Sequence, residues 1–125
     1  MFSKNTEKLE SFVGAHSHFK GDIKSKGTIR IDGLVDGNVE ADWVVLGEKA
    51  ILNGNVSARG VIVGGKIVGN ISSKEILEIK SKGKVTGDIV ASKLTVSEGG
   101  IFEGHSTMNR EDSNVVELPV KEKLG

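Results

Sequence analysis

The chain has no cysteine, no tyrosine, one proline and one tryptophan. Without cysteine there is neither a disulfide framework nor a thiolate metal site. With four Phe and one Trp as the only aromatics, the interior must be built from Val, Ile and Leu. That suits a narrow core in which bulky rings would not fit at every level. No apolar run approaches the ~20 residues of a membrane-spanning helix and no cleavable leader pattern opens the chain, so the cytoplasm is the expected compartment. Net charge is also missing, with 17 Lys and Arg against 17 Asp and Glu, which argues against general nucleic-acid binding.

What is present is glycine, 17 residues of it, much of it in one recurring phrase: apolar, any, Gly, Asp or Asn, apolar. The copies are Phe19-Lys20-Gly21-Asp22-Ile23, Val35-Asp36-Gly37-Asn38-Val39, Leu52-Asn53-Gly54-Asn55-Val56, Ile67-Val68-Gly69-Asn70-Ile71 and Val85-Thr86-Gly87-Asp88-Ile89. A degraded copy, Phe102-Glu103-Gly104-His105-Ser106, closes the series, and the steps between glycines are 16, 17, 15, 18 and 17 residues. A short alternating strand keeps pace with each phrase: Ile29-Arg30-Ile31, Val44-Val45-Leu46, Val61-Ile62-Val63, Leu77-Glu78-Ile79 and Leu94-Thr95-Val96. Strands this short are a poor fit to a sandwich or barrel. A unit this small cannot bury an apolar face alone and must stack on its neighbours. The repeat therefore predicts an all-β, single-stranded parallel β-helix of five to six coils over residues 19–106. Flexible tails are expected at residues 1–18 and 107–125, where the phrase is absent.

Stacking in register would set Asp22, Asn38, Asn55, Asn70 and Asp88 in a ladder with a rung spacing of ~4.8 Å. Amides can hydrogen-bond along such a ladder, whereas adjacent carboxylates repel, and the two Asp occupy its outer rungs. Both ends of the rod are expected to be uncapped. The last coil keeps Ile101 and Phe102 in apolar positions, and the first offers Phe19 and Ile23. An open β edge is a template for another chain, so these four residues are the expected polymerisation interface. Contacts between like ends would give a non-polar filament, and head-to-tail contacts a polar one.

Several chemical signals are weak. Gly60 to Ile67 nearly matches a phosphate-binding loop, G-x-x-x-x-G-K, but Ile67 stands where a Ser or Thr must reach magnesium. His16, His18 and His105 invite a metal reading, yet they lie at the edges of the solenoid and read better as surface or turn residues. Lys66, Lys74, Lys80, Lys82 and Lys84 concentrate positive charge around the fourth coil. Contact with anionic lipid or an acidic partner is one reading, but nearby Glu75 and Glu78 favour a solvated face with edge protection. Trp43 reads as packing at a coil corner. No catalytic residue, cofactor or metal site is expected.

The phrases Phe19-Lys20-Gly21-Asp22-Ile23, Ile29 to Val39 and Ile101-Phe102-Glu103-Gly104, together with the start Met1-Phe2-Ser3-Lys4, resemble the bactofilins. The resemblance implies a right-handed β-helix of triangular section and nucleotide-independent assembly into non-polar filaments through alternating like-to-like end contacts. It implies a cytoskeletal role in cell shape, at the inner face of the cell membrane, with peptidoglycan-modifying enzymes as partners beside the chain itself. By position it makes Phe102 the end-coil residue needed for polymerisation, and Met1, Phe2, Ser3 and Lys4 the membrane-targeting motif that meets inner-membrane lipid. His105 and Ser106 depart from the family phrase. Two rival readings remain: a hexapeptide-type left-handed β-helix enzyme, an acyltransferase or carbonic anhydrase, and a passive rod that does not polymerise. The first lacks a clean hexad, and sedimentation separates the second.

Overall fold

The computed structural model describes residues 9–108, which form strands joined by turns, bends and short irregular links, with no helix among them. The chain winds through about six coils, each crossing three faces in the same sequence, A, B and C. The first coil holds β1 (Leu9–Val13), β2 (His18–Lys20) and β3 (Ile23–Lys24). The second holds β4 (Thr28–Ile31), β5 (Leu34–Asp36) and β6 (Val39–Glu40). Then follow β7 (Trp43–Leu46), β8 (Ile51–Asn53) and β9 (Val56–Val63), the last of which bends across a corner into the fourth coil. β10 (Lys66–Val68), β11 (Ile71–Ile79), β12 (Lys84–Val96) and β13 (Ile101–Met108) complete the rod in the same manner. All pairings are parallel, each strand lying on the strand one coil earlier.

Alternation places the core. In β4, Ile29 and Ile31 are fully buried while Arg30 between them is exposed. Register carries that choice up the rod, so Ile29, Val44, Val61 and Leu77 form one inward column on face A. On face B the inward column is Phe19, Val35, Leu52, Ile67, Val85 and Phe102. Side chains of one kind at one height per coil fill a narrow prism, and each fully buried Val, Ile or Leu contributes ~1.5–3 kcal/mol of transfer free energy. The corner from face C to face A is lined by Ala41, Ala58, Ser73 and Ala91, small enough for a tight bend. Ser73 is the buried polar exception, its Oγ 2.7 Å from the Ile76 carbonyl oxygen and 3.0 Å from that of Arg59. The corners from A to B are closed turns, for example Ala50 N–H to Gly47 O at 3.0 Å and Gly83 N–H to Lys80 O at 2.9 Å.

Two details refine the sequence reading. The winding starts at β1, inside the segment expected to be a tail, and β13 runs two residues past 106. The recurrent phrase is itself a corner: its first apolar residue is inward on face B and its last is inward on face C. The tails beyond residues 8 and 108, and Met1, Phe2, Ser3 and Lys4 with them, lie outside the described residues.

Candidate assembly surfaces

The corner between faces B and C explains the phrase. Gly54 has φ +153°, and a Cβ there would overlap the carbonyl oxygen of Gly37 on the coil before; Gly37, Gly69, Gly87 and Gly104 repeat both features. Only glycine satisfies the backbone angle and the close approach together. Beside this column the Asx ladder forms, but by a different bond from the one expected. The backbone N–H of each rung donates to the side-chain oxygen of the rung before: Asn38 to Asp22 at 3.0 Å, Asn55 to Asn38 at 2.9 Å, Asn70 to Asn55 at 3.0 Å and Asp88 to Asn70 at 3.1 Å. An acceptor oxygen is all the ladder needs, and that is why Asp and Asn interchange. The amide-to-amide ladder inferred from composition is thus replaced by side chain to backbone. At the C-terminal end His105 takes the Asx position, its ring Nδ1 3.4 Å from Asp88 Oδ1.

At the two ends of the rod the strand edges have no partner among the described residues. Among the described residues β1, β2 and β3 pair only with β4, β5 and β6, and β13 pairs only with β12. The four expected interface residues fall in these end coils but not in equivalent environments. Phe19 points inward in the first coil and is 39% exposed; Ile23, also inward, is half-buried. Phe102 occupies the matching inward position of the last coil and is buried at 5% exposure. Ile101 points outward onto face B, level with Lys84. Each end coil is also tied to its neighbour by a His–Asp contact, His18 Nε2 to Asp36 Oδ2 at 2.8 Å and His105 to Asp88. The hydrogen bond from His18, then that from Asn53 Nδ2, holds the Asp36 carboxyl below the usual carboxylate range.

The remaining sequence signals resolve into packing. Around the near-match to a phosphate loop, Gly60 lies under the Trp43 ring, Gly64 on the Leu46 carbonyl and Gly65 on the Gly47 and Ala50 carbonyls. Strands β9 and β10 stand where such a loop needs a helix N-terminus. His16 is exposed, and no three His, Cys, Asp or Glu among the described residues group for a metal. The five clustered lysines separate: Lys74 sits at the C-to-A corner, Lys80 pairs with Glu78 at 3.2 Å, and Glu75 turns to Arg59 at 3.7 Å. Lys66, Lys82 and Lys84 instead gather with Lys49 around a depression of about 500 Å³ at the edge between faces A and B. The signal that finds Lys49 is the coil period, since Lys49 precedes Lys66 by about one repeat and Lys66 precedes Lys82 and Lys84 by about one more.

An uninterrupted parallel solenoid with open strand edges at both ends, and no helix among the described residues, defines a rod of the self-associating structural kind. The bactofilin family model, described as polymer-forming cytoskeletal, matches residues 11–107, and the chain belongs to that family. It is 23% identical over 110 residues to bactofilin BacO of Myxococcus xanthus, covering 87% of each protein. To BacP of the same organism it is 28% identical over 97 residues, 77% of this chain but only 40% of that longer protein. Its fold matches a cryo-EM reconstruction of Thermus thermophilus bactofilin double helical filaments with a TM-score of 0.71 at 29% identity, over 80% of this chain and 100% of that one. Bactofilins are structural cytoskeletal proteins, and self-association follows from the family. No helix among the described residues is long and apolar enough to cross a membrane.

Proposed function

We propose that this chain builds a non-polar filament by stacking end to end without nucleotide, and that its first residues tether the polymer to the inner face of the cell membrane. The observation that carries the reading is the pair of end coils, whose backbone N–H and C=O groups have no strand beyond them among the described residues. A second copy supplies the missing partner, and burial of Phe19 and the end-coil core adds ~25 cal/mol per Å² of apolar area. No bound phosphate is needed for such a contact.

Support for like-to-like joining comes from the way the ladder stops. Head-to-tail continuation would set the Asp22 N–H over His105, whose ring offers no carbonyl oxygen, and Ile23 over Ser106. Contacts between like ends do not require the ladder to continue. By analogy with the Thermus reconstruction, two such strands would wind into a double helix.

For the tether, Met1 and Phe2 would contribute ~1.5–3 kcal/mol each on insertion, and Lys4 about 1 kcal/mol beside anionic headgroups. One tail binds weakly, whereas a filament presenting many binds by avidity. Roles in cell shape and in recruiting peptidoglycan-modifying enzymes follow from the family resemblance.

The test is negative-stain microscopy of the untagged full chain without nucleotide. Filaments are expected; monodisperse monomers at every salt concentration would refute the proposal and leave the passive rod. Flotation with neutral vesicles is expected to require residues 2–8, and unchanged flotation after their deletion removes the anchor.

A further inference from the structure

We infer that the edge between faces A and B is a second membrane contact, a basic ledge that docks on the anionic headgroups of a bilayer. The inference rests on the membrane-tethered filament proposed above, but on none of the residues of the tether.

The ledge is built by the coil period. Lys49, Lys66, Lys82 and Lys84 line one depression together with Ile51, Ile101 and a single carboxylate, Glu48, four positive charges against one. Lys66 and Lys84 lie directly opposite in register, so two ammonium-bearing side chains leave the sheet one rung apart. Like charges so placed are mutually destabilising unless an anion sits between them. Among the described residues Lys84 has one distant carboxylate, Glu103 at 4.0 Å, and Lys49, Lys66 and Lys82 have no ion pair.

The outward column running through the ledge reads Leu34, Ile51, Lys66, Lys84, Ile101. Ile51 is 39% exposed and Ile101 44%. Lysines bracketed by exposed isoleucines match a headgroup layer over an apolar boundary. A second copy docked ledge to ledge would bring lysines against lysines and is repelled. The tether can share the same bilayer. Strand β1 crosses face A, and its five residues span ~17 Å at ~3.4 Å each. The eight residues ahead of it reach at most ~29 Å when extended. In a filament the ledge repeats with every subunit, so weak single contacts multiply.

The experiment is vesicle flotation of the full-length polymer, with phosphatidylcholine vesicles and with vesicles enriched in phosphatidylglycerol. Four proteins are compared: the unaltered chain, Lys66→Gln/Lys84→Gln, the deletion of residues 2–8, and both changes combined. Microscopy verifies that the lysine variant still forms filaments. The ledge predicts salt-sensitive flotation of the deletion protein with anionic vesicles only. It also predicts about a fivefold loss of apparent affinity for each lysine neutralised, and no flotation of the combined protein. Lysine substitutions without effect would overturn it. So would loss of all flotation on deleting residues 2–8, which leaves the tether standing. Flotation of the deletion protein equal to the unaltered chain, abolished by the lysine changes, keeps the ledge and removes the tether. Capture of a polyglutamate peptide by the ledge with no preference for anionic vesicles would assign it to an acidic protein and overturn the bilayer reading.

Discussion

The first and last coils occupy equivalent positions in the same prism, each with a Phe at the same height of the face B column, yet they are finished differently. Phe102 is 5% exposed, sharing its layer with Leu94 and Val96, while Phe19 is 39% exposed beside Val13 and Ile23. The C-terminal end therefore presents a seated, nearly complete core layer, and its strand β13 has no partner beyond β12 among the described residues. The N-terminal end leaves part of the Phe19 ring exposed, apolar surface that a second molecule could cover. A contact at the first end is dominated by backbone pairing; a contact at the second also gains hydrophobic burial. Disruption should consequently read out differently at each end.

The largest effect is expected from Phe102→Arg. It removes a buried ring, a change of the class that costs ~3–5 kcal/mol, and places a charge in the last layer. The variant should show a lowered melting temperature together with loss of long polymers, leaving small soluble species on sedimentation. Long polymers at unchanged stability would break the assignment of that end.

Gly54→Ala against Gly21→Ala sharpens the comparison within one column. Both positions have φ in the glycine region, but Gly54 abuts the Gly37 carbonyl, whereas at Gly21 the nearest atom is the Phe19 ring at 3.7 Å. Strain alone costs of order 1–3 kcal/mol at either site, and overlap adds to it only at Gly54. Denaturant unfolding should rank Gly54→Ala well below Gly21→Ala, and equal values would contradict the packing of the column.

The smallest effect is electrostatic and belongs to the first coil. The Asp36 carboxyl is held low by His18 and Asn53. A carboxyl whose folded pKa is depressed contributes stability above its unfolded value, near 3.9, and that contribution is lost as pH falls through the lower folded value. Acid titration below about pH 4 should loosen the His18–Asp36 end before the middle of the rod, and His18→Phe should shrink that pH dependence. Amide exchange that opens every coil together would contradict this.

The parts of this fold legible in the chain were those that repeat. The glycine phrase marks a corner because backbone angle and close approach both exclude a side chain there, so period and core columns follow from it. Strand β1 escaped because Leu9–Val13 precedes the first phrase and joins β4 with a register shift after Leu9. A weak signal was present: Phe12-Val13 stand ahead of Phe19 much as Arg30-Ile31 stand ahead of Val35. The two-residue strands of face C are too short to show an alternation of their own. Grouping lysines by proximity along the chain put Lys74 with Lys66, whereas the coil sets neighbours about one repeat apart and gathers Lys49 instead. The burial of Phe102 was not legible either, because register assigns it the same inward position as Phe19.

The central claim is that like ends meet like, and one measurement bears on it most directly. Phe19→Lys places a charge at the open N-terminal end, where little of the single subunit's stability resides. If joints alternate between the two kinds of end, the variant retains its C-terminal joint, and sedimentation velocity should find a uniform dimer. A uniform monomer would mean that each joint uses one end of each kind, and would contradict the account.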